Sequence, residues 1–493
     1  MTKICVPVSG GDAKAARKMA DKAISSGADL VEIRADLIKN SDIGKIRHEF
    51  SDILRKSIIT LRSKSEGGAS DLSVKERLDW IREAIGIEPA FVDLELDNDR
   101  RLIDESQSDK SRIIVSKHIF SNEPVEGVSK ILRDCCSLGG IGKVAVKVED
   151  VIRCTDILAK VDRDQLSNHA IMTMGPGSEI SRALAASIGS QIVYCALSDN
   201  EKVASGQLLL GDQLRVNSAD SIIVGLIGHP LGHTLSPAMH NAAFESIGLP
   251  GAYLTFDIPD SSQVKDFIRT ASKLGVRGFN VTIPYKEVAF SSVDSIDNDA
   301  RRAGAVNTIV ADEKGELRGF NTDIHGFSEA LRANGYNPRN KRALIVGAGG
   351  ASRAAIIALW KMGAKIVIAN RTPERAEELV RSMRVFIKTL SLDALEKEKP
   401  FNLLVNATPV GMSGFDNASI IPDDFIMKAD AVMDMVYNPL ETPLVASARK
   451  HNVKAIPGLD MLLYQGAKAF EIWTGKEAPV ESMRKRLLEA MKK

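Results

Sequence analysis

Two lysines at alternating positions are the first candidates for chemistry in this sequence. Lys143 and Lys147 enclose a short apolar stretch, Lys143-Val-Ala-Val-Lys147. Residues two apart share one face of a β-strand, so both lysines would lie on one face and the valines on the other. A lysine kept out of water is favoured as the uncharged amine, which can form a Schiff base with a ketone. The spacing leaves open which lysine would react.

Ionisable residues at the ends of other apolar segments would surround that amine. His118 offers a base, while Arg34 and Arg62 suit a substrate carboxylate, which a guanidinium group binds through two hydrogen bonds. The same residues also fit an ion-pair network in which the arginines pair with Glu32 and Glu95. Both interpretations, a Schiff-base site and a structural network, stay open at this point.

A glycine fingerprint marks the second half of the chain. An apolar segment runs into Gly347-Ala348-Gly349-Gly350-Ala351, and helix-compatible sequence follows. Such a loop lets a pyrophosphate approach the backbone at a helix N-terminus. The next apolar segment ends in Asn370-Arg371-Thr372, where arginine suits the 2′-phosphate of NADP and an acidic residue would suit NAD. The sequence therefore predicts NADP as the cofactor.

Polar motifs precede this fingerprint and supply hydroxyls, amides, one lysine and one aspartate. They are Thr234-Leu-Ser236, Gly278–Glu287, Gly304–Thr308 and Gly319–Asp323. Any one of them fits ordinary turn chemistry. Four in succession ahead of a dinucleotide loop predict a site for a polyhydroxylated acid.

Short apolar segments recur through the first half, and helix-compatible sequence fills most of the intervals. Repeated strand–helix units predict parallel strands, and eight such units predict a (β/α)₈ barrel over residues 1–215. Functional side chains of such a barrel gather at the C-terminal ends of its strands. The predicted strands are Lys3–Val8, Leu30–Arg34, Ile58–Arg62, Phe91–Leu96, Arg112–His118, Lys143–Val148, Ala170–Met174 and Ile192–Leu197.

The second half also alternates strands and helices, after a polar boundary at Gly211–Ser221. We predict a second α/β unit with two domains. A catalytic domain covers 222–325 and is completed by C-terminal helices at about 460–493, and a Rossmann NADP-binding domain covers 326–459.

Composition excludes several classes of protein. With 65 Lys+Arg against 64 Asp+Glu in 493 residues, the net charge of +1 argues against nucleic-acid binding. No apolar run approaches the roughly 20 residues of a membrane helix. The N-terminus carries no signal or transit pattern, and the five cysteines form no Cys-x-x-Cys pair. We therefore predict a cytoplasmic enzyme with small-molecule substrates, no metal site and no membrane partner; the oligomeric state is left open.

The first half resembles type I 3-dehydroquinate dehydratase. The motifs that carry the resemblance are Glu32-Ile-Arg34-Ala-Asp36, Arg62-Ser-Lys-Ser-Glu66-Gly-Gly, Ser116-Lys-His118, Lys143-Val-Ala-Val and Ile180-Ser-Arg182. The resemblance implies that Lys143, rather than Lys147, forms the imine with the C3 ketone, and that His118 moves protons at C2 and at the departing C1 hydroxyl. It also implies substrate contacts from Glu32, Arg34, Arg62, Arg182 and Gln207.

Two positions depart from that family's pattern. Val203 stands where the family has a serine, and Ser205 is the nearest hydroxyl. Ile119 follows the histidine where the family often has aspartate, so we expect the orientation of His118 to depend on Asp93 or Glu95.

The second half, from Val224 to about Leu488, resembles shikimate dehydrogenase. The resemblance implies a catalytic dyad of Lys286 and Asp323, and it allows Lys286 to act as acid, base or positioner. The implied shikimate contacts are Thr234, Ser236, Asn280, Thr282, Asn307, Tyr437 and Gln465. The implied NADP contacts are Gly347, Ala348, Gly349, Gly350, Ala351, Asn370, Arg371, Thr372, Met435 and Gly458.

The two resemblances fit consecutive steps of aromatic amino acid biosynthesis. The first would dehydrate 3-dehydroquinate to 3-dehydroshikimate, and the second would reduce that product to shikimate with NADPH. A class I aldolase-type barrel and a quinate dehydrogenase are the enzymatic alternatives. A non-catalytic ligand-sensing chain is a third alternative, against which the presence of Lys143, His118, Lys286 and Asp323 argues.

Overall fold

Eight parallel strands form the N-terminal sheet of the computed structural model, which describes residues 2–39, 42–161, 166–232, 234–415 and 419–492. They are β1 (Lys3–Gly10), β2 (Leu30–Ile38), β3 (Ser57–Thr60), β4 (Phe91–Glu95), β5 (Ile113–Ile119), β6 (Ile141–Lys147), β7 (His169–Met174) and β8 (Ile192–Tyr194). Their order is β7-β6-β5-β4-β3-β2-β1-β8. The amide of Gln191 donates to the carbonyl of His169 at 2.8 Å, beside the starts of β8 and β7. The sheet is thus a nearly closed barrel, which confirms the predicted fold.

On β2 and β6, the side chains inside the barrel change from apolar to charged along the strand. On β2, Leu30 packs in the apolar interior, and Glu32 and Arg34 follow it at intervals of two. On β6, Ile141 is followed in the same way by Lys143. Because residues two apart share a face, one alternating pattern provides both the core and the residues at the C-terminal ends.

Helices follow most of the barrel strands: α1 (Ala13–Ser25), α2 (Ile43–Phe50), α3 (Val74–Gly86), α4 (Arg100–Glu105), α5 (Val125–Leu138), α6 (Val151–Lys160), α7 (Glu179–Ala183) and α8 (Leu210–Val216). Side chains cap the N-termini of α1, α2, α3 and α6 and satisfy free amide groups there. Asp12 accepts from the amide of Ala15, and Asp150 accepts from that of Arg153, each at 2.8 Å.

The chain forms two compact units, one of residues 1–224 with 249–276 and one of residues 225–248 with 277–493. Strands β9 (Ile222–Gly228) and β10 (Gly251–Asp257), with helices α9 (Ser236–Ser246) and α10 (Val264–Leu274), follow the barrel. Next come β11 (Val276–Val281), α11 (Lys286–Ser292), β12 (Ser295–Ile296), α12 (Asn298–Ala303), β13 (Thr308–Ala311), β14 (Leu317–Phe320) and α13 (Thr322–Ala333). In the second unit, the sheet order is β9-β11-β13-β14-β12.

A parallel sheet in the order β17-β16-β15-β18-β19-β20 forms the Rossmann part of the second unit. Its elements are β15 (Arg342–Val346), α14 (Gly350–Lys361), β16 (Lys365–Asn370), α15 (Pro373–Met383), β17 (Lys388–Ser391), β18 (Leu403–Asn406), α16 (Asp423–Ile426), β19 (Ala431–Asp434), α17 (Pro443–Lys450) and β20 (Lys454–Ile456). Helices α18 (Gly458–Thr474) and α19 (Val480–Ala490) complete the chain. Since Val346 pairs with Ala369, the loops after β15 and β16 lie at one sheet edge.

None of the helices in the described ranges is long and apolar enough to span a bilayer. Within the same ranges, no group of three or more histidine, cysteine, aspartate or glutamate side chains is arranged to hold a metal ion.

Candidate active sites

A cavity of about 340 Å³ lies at the C-terminal ends of the barrel strands. The residues that were predicted for the first site all line it: Glu32, Arg34, Arg62, His118, Lys143, Arg182 and Gln207. Lys147 lines it as well, but it is exposed, whereas Lys143 is only 4% exposed. The structure therefore separates the two lysines by burial, which their spacing in the sequence did not.

Two carboxylates hold the amine of Lys143. Its Nζ donates to Oδ2 of Asp93 at 3.0 Å and to Oε1 of Glu32 at 3.4 Å. Oε1 of Glu32 also accepts from the hydroxyl of Thr60 at 2.9 Å, which fixes that carboxylate. Arginines were expected around this lysine. The structure adds two acids, Asp93 and Glu32, which hold the amine at one place in the cavity.

Arg62 is the centre of a buried ion-pair network. It donates to Oδ1 of Asp93 at 2.8 Å, to Oε1 of Glu95 at 3.2 Å and to Oγ of Ser116 at 2.9 Å. Burial opposes the charge, but the surrounding carboxylates outweigh it and raise the pKa of Arg62. The predicted Arg62–Glu95 pair is present, and the network borders an open cavity rather than filling it.

Arg34 pairs with a different acid from the expected Glu32. Its Nε and Nη2 donate to the two oxygens of Asp36 at 2.9 and 2.8 Å. Two parallel bonds of this kind hold the guanidinium plane in one orientation. Glu32 is therefore free to bind Thr60 and Lys143.

Glu66 orients His118, and the expectation that Asp93 or Glu95 would do so is wrong. Oε2 of Glu66 lies 3.1 Å from Nδ1 of His118 and accepts from its backbone amide at 3.1 Å. Asp93 and Glu95 instead bind Arg62. Burial, with help from Arg62 and Lys143, lowers the pKa of His118 well below its ordinary value. The histidine is therefore uncharged near neutral pH. Glu66 belongs to the motif that begins at Arg62, so only its role, and not its presence, was missed.

Arg182 is the buried arginine of this cavity that forms no ion pair with a carboxylate of the described residues; Glu179, three residues earlier on α7, acts on it only through longer-range attraction. It is 1% exposed and donates to the neutral oxygens of Thr173, Ser178 and Ser181. Its Nε has no hydrogen-bond partner among the described residues. Burial lowers the pKa of Arg182 to about 10, so the group stays charged at neutral pH. A buried cation whose hydrogen bonds go only to neutral oxygens is suited to a ligand carboxylate.

Arg62 and Arg182 are expected to differ in what they contribute to stability. Arg62→Met should lower the midpoint of thermal unfolding because it leaves buried carboxylates uncompensated, at about 3–5 kcal/mol. Arg182→Met should leave the midpoint unchanged or raise it, yet it should weaken binding of a carboxylate substrate in the cavity by about 10-fold or more. Calorimetry and steady-state kinetics on both variants measure this contrast, and equal loss of stability in the two would contradict it.

Gln207 shapes the loop at the mouth of the cavity. Its Oε1 accepts from the amides of Val203 at 2.8 Å and Ala204 at 3.2 Å. Both Val203 and Ser205 line the cavity. A serine hydroxyl is thus present at this rim, two residues from where the family pattern has it.

A second cavity of about 670 Å³ lies in the second unit. The predicted shikimate contacts all line it: Thr234, Ser236, Asn280, Thr282, Asn307, Tyr437 and Gln465. Lys286, the first residue of α11, donates to Oδ2 of Asp323, near the start of α13, at 2.6 Å. The predicted dyad is therefore formed, and it faces the hydroxyl and amide groups of the cavity wall.

Amide side chains of this cavity are held by hydrogen bonds. Oδ1 of Asn307 accepts from the amide of Thr322 at 2.8 Å. Nδ2 of Asn280 donates to the hydroxyl of Thr308 at 3.1 Å. Nε2 of Gln465 donates to the carbonyl of Leu462 at 3.0 Å. Fixed amides of this kind recognise hydroxyl groups at little cost in side-chain entropy.

The loop between β15 and α14 suits a dinucleotide. Gly347 has φ +120°, and a Cβ there would lie 2.9 Å from the carbonyl oxygen of Ala407, so only glycine fits. A Cβ on Gly349 or Gly350 would meet open space at the start of α14, where a pyrophosphate can approach the backbone.

The predicted cofactor residues are divided between two places. Ala351, Met435 and Gly458 line the second cavity. The other residues lie at the C-terminal ends of β15 and β16, in the last residue of β16, the loops that follow and the first residue of α14: Gly347, Ala348, Gly349, Gly350, Asn370, Arg371 and Thr372. Arg371 is exposed and forms no ion pair within the described ranges. The loops thus combine a glycine cradle with a free cation, as a 2′-phosphorylated dinucleotide requires.

Family models match both halves of the chain. The model for type I 3-dehydroquinase matches residues 4–219. Models for the shikimate dehydrogenase substrate binding domain, shikimate / quinate 5-dehydrogenase and the shikimate 5'-dehydrogenase C-terminal domain match residues 226–309, 329–409 and 458–488.

Individual relatives agree with these models. A bifunctional 3-dehydroquinate dehydratase/shikimate dehydrogenase of Arabidopsis thaliana, described as chloroplastic, is 32% identical and covers 97% of this chain and 83% of its own length. A shikimate dehydrogenase (NADP(+)) of Methanopyrus kandleri is 46% identical over 56% of this chain and 97% of its own. A crystal structure of shikimate dehydrogenase in complex with NADP⁺ aligns with TM-score 0.52 and 41% identity, covering 56% of this chain and 98% of that one. The chain therefore belongs to the family of bifunctional 3-dehydroquinate dehydratase/shikimate dehydrogenases.

Proposed function

We propose that the two cavities perform consecutive reactions of the shikimate pathway. The barrel cavity dehydrates 3-dehydroquinate to 3-dehydroshikimate as a lyase, and the second cavity reduces that product to shikimate as an NADP-dependent oxidoreductase. The observation that carries the proposal is the composition of the barrel cavity. It places a buried lysine, an uncharged histidine and an arginine without a carboxylate partner around one space of ligand size.

Lys143 provides the covalent step in the barrel. Its amine adds to the C3 ketone, water leaves, and the nitrogen carries positive charge as an iminium. His118 then removes a C2 proton, and the electron pair moves to that nitrogen. The resulting enamine expels the C1 hydroxyl, which leaves as water with a proton from His118. Hydrolysis of the product imine releases 3-dehydroshikimate and restores the amine.

Glu66 and Arg182 support these steps. A carboxylate acceptor at Nδ1 selects the histidine tautomer that leaves Nε2 as the base. Arg182 binds the substrate carboxylate. Its burial and its Nε, which has no hydrogen-bond partner among the described residues, support this role. Glu32, Arg34, Arg62 and Gln207 border the rest of the ligand.

Lys286 transfers the proton in the second cavity. Bound NADPH supplies the hydride for the ketone of 3-dehydroshikimate. The ammonium of Lys286, held by Asp323, donates a proton to the ketone oxygen as it becomes a hydroxyl. The hydroxyl and amide side chains around this pair orient the ring of the substrate.

Arg371→Asp is expected to weaken NADP binding and to narrow the preference over NAD. The exposed guanidinium loses its charge-assisted contact with the 2′-phosphate, which changes affinity by about 10- to 150-fold. Steady-state kinetics of shikimate oxidation with each dinucleotide measure the change. Arg381→Asp, at an exposed arginine in the last turn of α15, is the matched control. It should leave the kinetic constants for NADP and for NAD unchanged. Equal use of NAD and NADP by the wild-type chain would disprove the role of Arg371.

The complete function is tested by supplying 3-dehydroquinate and NADPH together. Loss of nicotinamide absorbance requires both reactions in sequence, because NADPH is consumed only after dehydration. If the absorbance stays constant with 3-dehydroquinate, 3-dehydroshikimate is added instead. This compound needs only the second reaction, so it shows which of the two reactions is missing. Activity with 3-dehydroshikimate but none with 3-dehydroquinate would disprove the proposed barrel function.

Domain boundaries and location complete the proposal. We place the dehydratase at 1–215, the shikimate-binding domain at 222–325 with helices of about 460–493, and the Rossmann domain at 326–459. The ranges of the matched family models support these limits. We also propose a reducing compartment such as the cytoplasm, because the five cysteines are unpaired and buried.

A further inference from the structure

Tyr194 is an aromatic residue of the barrel cavity that the mechanism above does not use. It ends β8, is 4% exposed and lines the cavity. Nζ of Lys143 lies 4.2 Å from the centroid of its ring. The Tyr194 hydroxyl is buried and has no hydrogen-bond partner in the described part of the chain. The contact that this residue makes with the reacting lysine is therefore made by the ring.

We propose that Tyr194 is a positioning residue of the dehydratase whose ring face stabilises positive charge on Nζ of Lys143, both in the resting ammonium and in the iminium. The proposal rests on the dehydratase function of the barrel. An aromatic ring attracts a cation through the negative potential of its face, and the attraction is greatest where water is excluded. At 4.2 Å in a buried site, the pair satisfies both conditions.

Charged and titratable groups from the other strands also face this nitrogen. They are Cys5 on β1, Glu32 on β2, Arg62 after β3, Asp93 on β4 and His118 on β5. Asp93 and Glu32 favour a cation at Nζ, whereas Arg62 disfavours one. The ring adds stabilisation without a negative charge. It therefore supports the iminium without introducing a further acceptor that would compete for the ammonium protons.

A distinctive pH response follows. If the ring stabilises charge on this nitrogen before and after imine formation, weakening the ring should make the nitrogen less basic in both states. The acid limb of kcat/KM, which requires the free amine, and the alkaline limb of kcat, which requires the protonated imine, should then shift in the same direction, toward lower pH. A cation–π contact of ordinary strength corresponds to a shift of about one pH unit.

The experiment replaces Tyr194 in the full-length chain with phenylalanine, pentafluorophenylalanine and leucine. Phenylalanine keeps the ring face, whereas pentafluorophenylalanine keeps its shape and removes its negative potential. Tyr194→Phe should retain the wild-type pH profile and raise the unfolding midpoint, because it removes a buried hydroxyl without a partner. The pentafluoro and leucine variants should both shift the two limbs to lower pH.

Two controls separate this role from packing and from the proposed function itself. Phe50→Leu removes a fully buried ring that does not line the cavity, and it should change stability without moving the profile. Shikimate oxidation should be unchanged in every variant. A pentafluoro variant with the pH profile of the Phe variant would overturn the role of the ring. Wild-type chain without dehydratase activity would instead refute the function of the barrel.

Discussion

Replacing Lys143 with alanine is expected to abolish dehydration of 3-dehydroquinate and to leave oxidation of shikimate with NADP⁺ unchanged. Without the amine no iminium forms, so the electrons released at C2 have no sink, and we expect kcat to fall by ~10⁴-fold or more. The second activity uses Lys286 and Asp323, which line a different cavity. Separate assays of the two reactions on the same preparation measure the contrast.

Borohydride identifies the reacting lysine directly. Reduction of the wild-type chain in the presence of 3-dehydroquinate should inactivate the dehydratase and leave a stable adduct on the peptide that contains Lys143. Lys147→Ala is the matched control, because Lys147 lines the same cavity four residues further along the strand, on the same face, but is exposed. This variant should still be trapped. An adduct on Lys147, or inactivation without any adduct, would show that the assignment is wrong.

The barrel could be predicted because one alternating sequence pattern indicates both its apolar interior and its charged cavity. Leu30, Glu32 and Arg34 share one face of β2, so the apolar interior and the charged cavity follow from period-two spacing. The NADP-binding loop could also be predicted from the sequence. Gly347 and Arg371 occur at characteristic distances from their strands, and the paired strands bring their loops to one sheet edge.

Partner choice inside the barrel could not be predicted, because it depends on distances across the ring of strands. Arg34 binds Asp36, two residues away on its own strand, although Glu32 has the same charge and spacing. Glu66, on a loop after β3, reaches His118 on β5, whereas Asp93 is held by Arg62. Sequence spacing along one strand contains no information on these contacts.

Burial was the other quantity that sequence spacing could not supply. Lys143 and Lys147 share one face in the alternating strand pattern, but Lys143 is buried in the barrel and Lys147 is exposed. Tyr194 was missed for the same reason. It is the third residue of a three-residue strand, and no motif marks it, yet its ring lies beside the reacting nitrogen.

In the second cavity, replacement of Lys286 with methionine is expected to lower kcat for shikimate oxidation by about 10²-fold or more, a typical contribution of general acid–base catalysis. KM for shikimate should change less. Binding depends mainly on the hydroxyl and amide groups that line the cavity with it, and these are retained. Asp323→Asn should have a similar effect, because it removes the charge that holds the ammonium at 2.6 Å.

The double variant shows whether the two residues act as one unit. If Asp323 acts only through Lys286, then Lys286→Met with Asp323→Asn should be little worse than Lys286→Met alone. Lys361→Met with Asp299→Asn is the matched control. It removes an ion pair with the same 2.6 Å separation that lies outside the cavity, and it should leave kcat unchanged. Dehydratase activity should be constant in all of these variants. Fully additive losses would show that Asp323 acts independently of Lys286. A normal kcat for Lys286→Met, as expected for the Lys361 and Asp299 control, would place the proton transfer on another group.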